Sequence, residues 1–300
     1  APLPPGADAV VMQEDTQASG DDGVLIGEPV KPWENVRFCG EDVKRGTTVI
    51  DRGQPLTAAK LGLIAALGIP SVAVGRRPTV GLIATGTELI EPGESRVEGQ
   101  IYESNRTTLR PLLTPAGADC RVYPLVPDSM EATTAALEKA LGECDAVVTS
   151  GGVSVGELDF VKAAFEALGG RLEFWKVAIR PGKPFVFGRW CDRFLFGLPG
   201  NPVSALVTAF LLVRPAILRW QGALHTEPHV TWGILDEALA NPGDRRHFVR
   251  VQVTESGRIR SAGLQASHVL ASLARADGLV DVPAGATLMA GTPVAVMRLA

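Results

Sequence analysis

The run Ala146-Val147-Val148-Thr149-Ser150-Gly151-Gly152-Val153-Ser154-Val155-Gly156-Glu157-Leu158-Asp159 constrains the fold of this chain more than any other stretch. Its apolar start, closed by glycines, reads as a buried strand, and the amphipathic pattern over 160–168 reads as a helix. Strand, glycine-rich loop and helix in that order put the loop at the carboxyl end of a strand, where open α/β sheets seat ligands. Glycines admit close backbone approach, and the free N–H groups at a helix start favour an anion. A tight turn with no ligand uses the same residues, so other segments must converge on this loop before it counts as a site.

The neighbouring segments repeat the pattern. A buried-type strand at 80–84 ends at Thr85-Gly86-Thr87-Glu88-Leu89. A helix from about Ser104 follows, interrupted by Pro111 and Pro115, and then a strand at 121–126. Asp128-Ser129-Met130-Glu131 has the form of a capping box, opening a helix to Leu141 with Met130, Thr134, Leu137 and Leu141 on one face. A strand at 172–179 is broken by Arg180-Pro181-Gly182-Lys183-Pro184. A hairpin of 185–187 with 194–196 leads to Gly197-Leu198-Pro199-Gly200-Asn201-Pro202. There Asn201 suits an N-cap and Pro202 a first helical position, with the helix reaching about Trp220 and bending at Pro215. Strands alternating with helices imply a mainly parallel, doubly wound sheet covered on both faces.

The flanks differ. Residues 1–42 read as short β segments, at 9–12 and 24–26, that look like the end of a domain. Residues 43–75 change character and carry a helix capped by Thr57. Residues 76–221 are the α/β domain, with Arg76-Arg77-Pro78 a linker. From 222 to 300 the helices stop and five short strands make a small all-β sandwich or barrel. A net charge of −4 gives no footprint for nucleic acid, and no apolar run is long enough to span a bilayer. No signal peptide pattern opens the chain, and the absence of an initiator Met suggests a fragment. Cys39, Cys120, Cys144 and Cys191 are scattered, which fits a reducing, cytoplasmic setting and argues against zinc.

Chemistry-bearing residues gather at one proposed edge. Glu88, Asp128, Glu157 and Asp159 follow three successive strands, a set that could hold a hard divalent cation. Taken singly, Asp128 and Asp159 read better as helix caps than as metal ligands. Lys176, Arg180 and Lys183 supply positive charge, the last two on a rigid Pro-Gly turn, and the Pro199–Pro202 turn adds a helix N-terminus. An acid cluster facing a basic rim suits a phosphorylated ligand with magnesium. No GxxxxGK[ST] loop occurs, and the four histidines read as structural or surface groups.

Taken together, Thr85-Gly86-Thr87-Glu88-Leu89, Gln100-Ile101-Tyr102-Glu103-Ser104-Asn105, the 149–159 loop, 176–184 and Gly197 through Ser204 resemble the molybdopterin molybdenumtransferases, the MoeA family, similar also to the E domain of gephyrin. The resemblance implies insertion of molybdate into adenylylated molybdopterin with release of AMP and use of Mg2+. It assigns Glu88, Asp128 and Asp159 to the metal or the attack on the phosphoanhydride, with Lys176 beside them. Ser150, Gly151, Gly152, Ser154, Pro199, Gly200, Asn201 and Pro202 would bind substrate. Arg180, Lys183, Arg250 and Ser267 would gather the molybdate oxyanion. A homodimer and a molybdopterin adenylyltransferase partner are implied as well, as are a lid-like β domain ending at residue 42 and an elongated dimerisation segment over 43–75. Thr87, Ser129, Arg180 and Ala266 stand where the family usually has Asp, Asp, Lys and Gly, and an upstream DGYA-type motif is absent. Two other functions fit parts of the pattern: the related molybdopterin adenylyltransferase, which lacks the all-β region, and a gephyrin-like scaffold, which would not need the acids and the basic turn.

Overall fold

The computed structural model describes residues 1–153 and 160–299, so the expected site residues Ser154 and Asp159 lie outside the described residues. The chain separates into two compact units, 1–52 and 53–300. In the first, β1 (Thr16–Ser19) and β2 (Gly23–Ile26) form an antiparallel hairpin. The apolar run at 9–12 is not a strand. Val10 bonds instead to the carbonyl of Glu34, and the run lines a small cavity of about 300 Å³ with Ile26 and Pro29.

The second unit begins with α1 (Ala58–Ala66), capped by Thr57, whose side chain accepts from the Lys60 N–H. Only Ile64 of this helix is buried. Then come β3 (Thr79–Ala84), β4 (Leu89–Ile90), β5 (Ile101–Tyr102), α2 (Asn105–Leu113), β6 (Asp119–Val122), α3 (Met130–Glu143), β7 (Ala146–Ser150), α4 (Phe160–Ala167), β8 (Arg171–Trp175), β9 (Ile179–Arg180), β10 (Val186–Trp190) and β11 (Arg193–Leu198). The central sheet has strand order β6-β3-β7-β11-β10-β8. Its first four strands are parallel, and only β10 runs against its neighbours. Period-two alternation sorts the strand side chains into two layers. Val80, Leu82, Val148, Phe196 and Leu198 pack against α2 and the long helix that follows β11. Ile83, Val147 and Leu195 pack against α3 and α4. The buried stripe of α3 is Thr133, Leu137, Ala140 and Leu141, so Met130 and Thr134 lie at its margin, rotated away from the expected face.

The long helix is three pieces: α5 (Pro202–Thr208), a π-helical turn Ala209–Val213, and α6 (Arg214–Trp220). Pro215 has no N–H to continue the ladder, and the wide turn just before it absorbs the mismatch. This run is long and apolar enough to cross a membrane, contrary to the sequence expectation. Its apolar residues Val203, Val207, Phe210, Val213 and Ile217 are all buried in the protein core.

The strand expected at 172–179 is two strands. The backbone turns at Lys176 (φ 75°), and β9 leaves the central sheet to pair with a strand of the second sheet. That sheet contains β12 (Val230–Leu235), β14 (Arg246–Val253), β15 (Arg258–Ser261), β16 (Gly278–Val282) and β18 (Pro293–Arg298), beside a small ladder of β13 (Leu239–Ala240) with β17 (Thr287–Leu288). Because β15 pairs with both β12 and β14, the five strands close into a barrel around Leu235, Val249, Val251, Ile259, Val280 and Val296. Closure removes the exposed edges that an open sandwich would leave. One short helix, α7 (Leu270–Ala274), interrupts this region, which the sequence reading had taken as free of helix. Its Leu273 joins Phe248, Leu279 and the α5 residues Val203 and Val207 in an apolar layer that fixes the barrel against the α/β sheet.

Candidate functional site at the carboxyl ends of the sheet strands

The loops after β3, β7 and β11 meet at one point. The Thr85 N–H donates to the Ser150 carbonyl at 3.0 Å, and the Gly151 N–H donates to Leu198 at 3.1 Å. A side chain at Gly151 would collide with the Thr85 carbonyl oxygen, and one at Gly152 would strike Val161. Both glycines have positive φ, 92° and 64°. These positions therefore need glycine for conformation and for space. Gly200 packs against the Gly151 Cα, and the Asn105 side-chain amide at the start of α2 donates to the Gly200 carbonyl at 2.8 Å. Pro199 is buried there, and Gly200 and Asn201 are exposed.

Four buried polar atoms around this junction have no hydrogen-bond partner among the described residues: Thr85 Oγ1, Asn105 Oδ1, Thr149 Oγ1 and Ser150 Oγ. Buried polar groups are almost always paired, so a cluster of orphans beside a glycine-rich loop marks a place prepared for a polar ligand.

The acids behave differently from the sequence expectation. The cap of α3 is Ser129, whose side chain accepts from the Ala132 N–H at 3.1 Å. The capping-box reading is thus displaced by one residue, and Asp128 is released from it. Asp128 Oδ2 accepts the Thr87 N–H at 3.2 Å, while Thr87 Oγ1 accepts the Asp128 N–H at 3.0 Å. This reciprocal pair ties the two loops together and sets Asp128 beside the segment that carries Glu88, which is exposed. The described residues contain no cluster of three potential metal ligands. Glu88 and Asp128 offer the hard oxygen donors magnesium prefers, and the third expected acid, Asp159, falls outside them.

The basic side divides into exposed and buried groups. Lys176, Arg180 and Lys183 are exposed. The turn holding the last two is fixed by Gly182, which lies against the Thr208 methyl, and by a Val177 N–H to Lys183 carbonyl bond of 3.0 Å. Arg250, which the resemblance assigns to the oxyanion, is fully buried. Its Nε donates to Ser272 Oγ at 3.0 Å, and Nη2 donates to the Leu264 and Ala266 carbonyls at 2.9 and 3.2 Å. Among the described residues Nη1 has no partner and no carboxylate pairs with the guanidinium, and burial pulls its pKa down to about 10. The segment Arg250 orders carries Ser267, whose Oγ accepts from Asn201 Nδ2 at 3.2 Å. Asn201 therefore stands at the N-cap of α5 without capping it by its side chain, and bridges sheet and barrel instead. Pro202 opens α5 as expected.

Two residues were missed by sequence reasoning. His247, beside Arg180 across the β14–β9 ladder, is buried with both ring nitrogens unpartnered. Burial first, and then Arg180, Arg250 and Arg245, drive its pKa down to about 4, so the imidazole is neutral. Trp175, at the end of β8, carries two lysine ammonium groups on its ring. A lone histidine in an alternating strand and an aromatic at a strand end give no sequence signal; only the fold reveals their company.

Comparison with known proteins agrees with this geometry. Family models match residues 1–68 as the MoeA N-terminal region (domains I and II), 81–219 as a probable molybdopterin binding domain, and 233–299 as the MoeA C-terminal region (domain IV). A molybdopterin molybdenumtransferase of Haemophilus influenzae is 40% identical over 282 residues, covering 92% of this chain and 70% of the relative. The chain belongs to the MoeA family. Molybdopterin molybdenumtransferase 2 of Mycobacterium tuberculosis is 39% identical, covering 100% of this chain and 75% of its own length. The crystal structure of the molybdopterin biosynthesis MoeA protein of Pyrococcus horikoshii superposes with a TM-score of 0.81 at 32% identity, over 99% of this chain and 73% of that one. The MoeA fold thus accounts for both the mixed α/β sheet and the closed barrel.

Proposed function

We propose that this MoeA-family chain is an enzyme of molybdenum cofactor biosynthesis that inserts molybdate into adenylylated molybdopterin and releases AMP. The observation that carries the reading is the Asn201–Ser267 bond of 3.2 Å. It brings the segment organised by buried Arg250 to the glycine-rich end of the sheet, so that anion-binding and acid-bearing loops share one site. Ser150, Gly151 and Gly152 cradle the molybdopterin portion, the unpartnered Ser150 hydroxyl and the close backbone approach at the two glycines accepting its polar groups. Arg180, Lys183, Ser267 and the unpartnered Nη1 of buried Arg250 gather the molybdate dianion. A buried guanidinium without a carboxylate is costly, and an oxyanion substrate offsets that cost. Lys176 faces the same loops from the end of β8.

Glu88 and Asp128, with Asp159 as the third acid, would hold Mg2+, which neutralises charge as the phosphoanhydride breaks. Exposed Leu61, Leu67, Ile69, Val72 and Val74, on and after α1, offer an apolar face suited to a homodimer. A molybdopterin adenylyltransferase would supply the substrate, and scattered free cysteines suit the cytoplasm. The adenylyltransferase reading of this chain itself is disfavoured by the barrel, since that reaction has no use for Arg250 and Ser267.

The decisive test is AMP release from adenylylated molybdopterin with Mg2+, with and without molybdate. Molybdate-dependent release supports the transferase. Release that ignores molybdate, or consumption of ATP instead, overturns it.

A further inference from the structure

We propose that Trp175 is a positioning residue: its indole holds the Lys162 and Lys176 ammonium groups beside the glycine-rich loop and so fixes where Lys176 meets the substrate. The proposal rests on the transferase reading, which puts Lys176 in the site. Trp175 ends an edge strand and is 37% exposed, yet three contacts fix it. Lys162 Nζ, from the first turn of α4, lies 3.5 Å from the ring centroid, and Lys176 Nζ lies 3.8 Å from it. The indole Nε1–H donates to the Val153 carbonyl at 3.3 Å, one residue beyond Gly151-Gly152. The ring thereby links two cations to the loop that defines the site.

The backbone is arranged for this contact. Lys176 has φ 75°, a left-handed conformation uncommon outside glycine, and its N–H is locked to the Phe185 carbonyl at 2.9 Å. A chain that reverses directly after the indole can lay the next side chain back over the ring. Left-handed strain at a non-glycine residue persists only where the surroundings hold it, and it concentrates at functional positions. Among the described residues no carboxylate lies within ion-pair distance of Lys176. Attraction to the ring face orients this ammonium without neutralising it. A carboxylate partner would orient it equally well but would cancel the charge that an anionic substrate needs. A lysine on a long flexible stem gains most from such a restraint, because reacting groups must be held in one geometry.

The test compares W175F, which keeps a ring face and deletes the N–H, with W175L, which deletes both, each alone and with K176A. W175L is expected to lower kcat/KM for molybdate-dependent AMP release on the order of tenfold, W175F by less, both with melting temperatures near wild type. In the K176A background W175L should cause no further loss. A merely structural role would instead lower the melting temperature and give additive losses, which would overturn the proposal. A second readout needs no substrate. After reductive 13C-methylation, NMR signals of Lys162 and Lys176 should be shifted upfield by the ring current and should revert in W175L. Lysine signals unchanged by W175L overturn the proposal even if activity falls. If the wild-type chain releases no AMP, the transferase reading fails by itself, and the NMR comparison alone decides the clamp.

Discussion

The two ends of the central sheet carry similar residues and use them in opposite ways. At the amino ends of the strands, Asp145 is closed on every side. Its Oδ1 accepts from Arg76 at 2.8 Å and Arg193 at 3.1 Å, and its Oδ2 accepts from Arg76 at 2.6 Å and the Thr79 N–H at 2.8 Å. Hydrogen bonding from Arg76 leads the causes that hold this carboxyl below the usual range. At the carboxyl ends, Asp128 has one hydroxyl-bearing loop for a partner, Glu88 is exposed, and four hydroxyl or amide atoms are buried without partners among the described residues. A closed network stabilises, whereas an open one keeps charge and hydrogen-bonding capacity for something that binds. The difference lies in completeness of pairing, not in composition, and it separates scaffold from site within one sheet.

Breaking each end separately sharpens this contrast. The largest effect is expected at the open end: Glu88→Ala should lower AMP release by about 100-fold or more, the scale for losing transition-state charge stabilisation, with an unchanged melting curve. Near-normal turnover would remove Glu88 from the machinery. At the closed end, Asp145→Ala should cost about 1–3 kcal/mol of stability at pH 7, the scale of leaving the part-buried Thr79 N–H and Arg193 without their acceptor, read as a shift in the urea midpoint. Activity per folded molecule should stay intact; a selective loss of activity would erase the distinction between the two ends.

The barrel gives an intermediate case. His247 titrates near 6.5 when unfolded and about 4 when folded. The unfolded chain then binds more protons between those values, so stability falls as pH drops from about 6.5 to about 4. The loss is at most about 3 kcal/mol at roughly 1.4 kcal/mol per pH unit. His247→Leu should flatten that slope while the site arginines remain; an unaltered slope would show that other groups carry the acid sensitivity. The smallest effect is expected at the bridge: Asn201→Ala should cost about 1 kcal/mol, as for one hydrogen bond. It should also weaken molybdate binding measured by calorimetry, whereas unchanged binding would separate the barrel from the site.

The order of elements was written in the chain, because apolar periodicity and glycine punctuation are local. Thus β3, β7, the β10–β11 hairpin, α5 and all five barrel strands fall where the local pattern puts them, within a few residues. Glu88, Lys183 and the 149–152 loop were legible as candidates for the same reason: an acid after a turn glycine and a cation on a Pro-Gly turn have no core to join. Pairing was not legible, because it joins residues far apart in sequence. Whether Asp128 caps a helix or braces Thr87 depends on a loop 41 residues away. That Arg250 is buried and Arg180 exposed depends on β9 leaving one sheet for another at Lys176. Barrel closure through β15, the neutral state of His247 and the lysine pair on Trp175 likewise exist only once distant strands are in register. Sequence sets which segments can form strand or helix, since that depends on neighbours along the chain. The tertiary structure sets which polar groups find partners, and the groups left without partners make the carboxyl end of the sheet the candidate site.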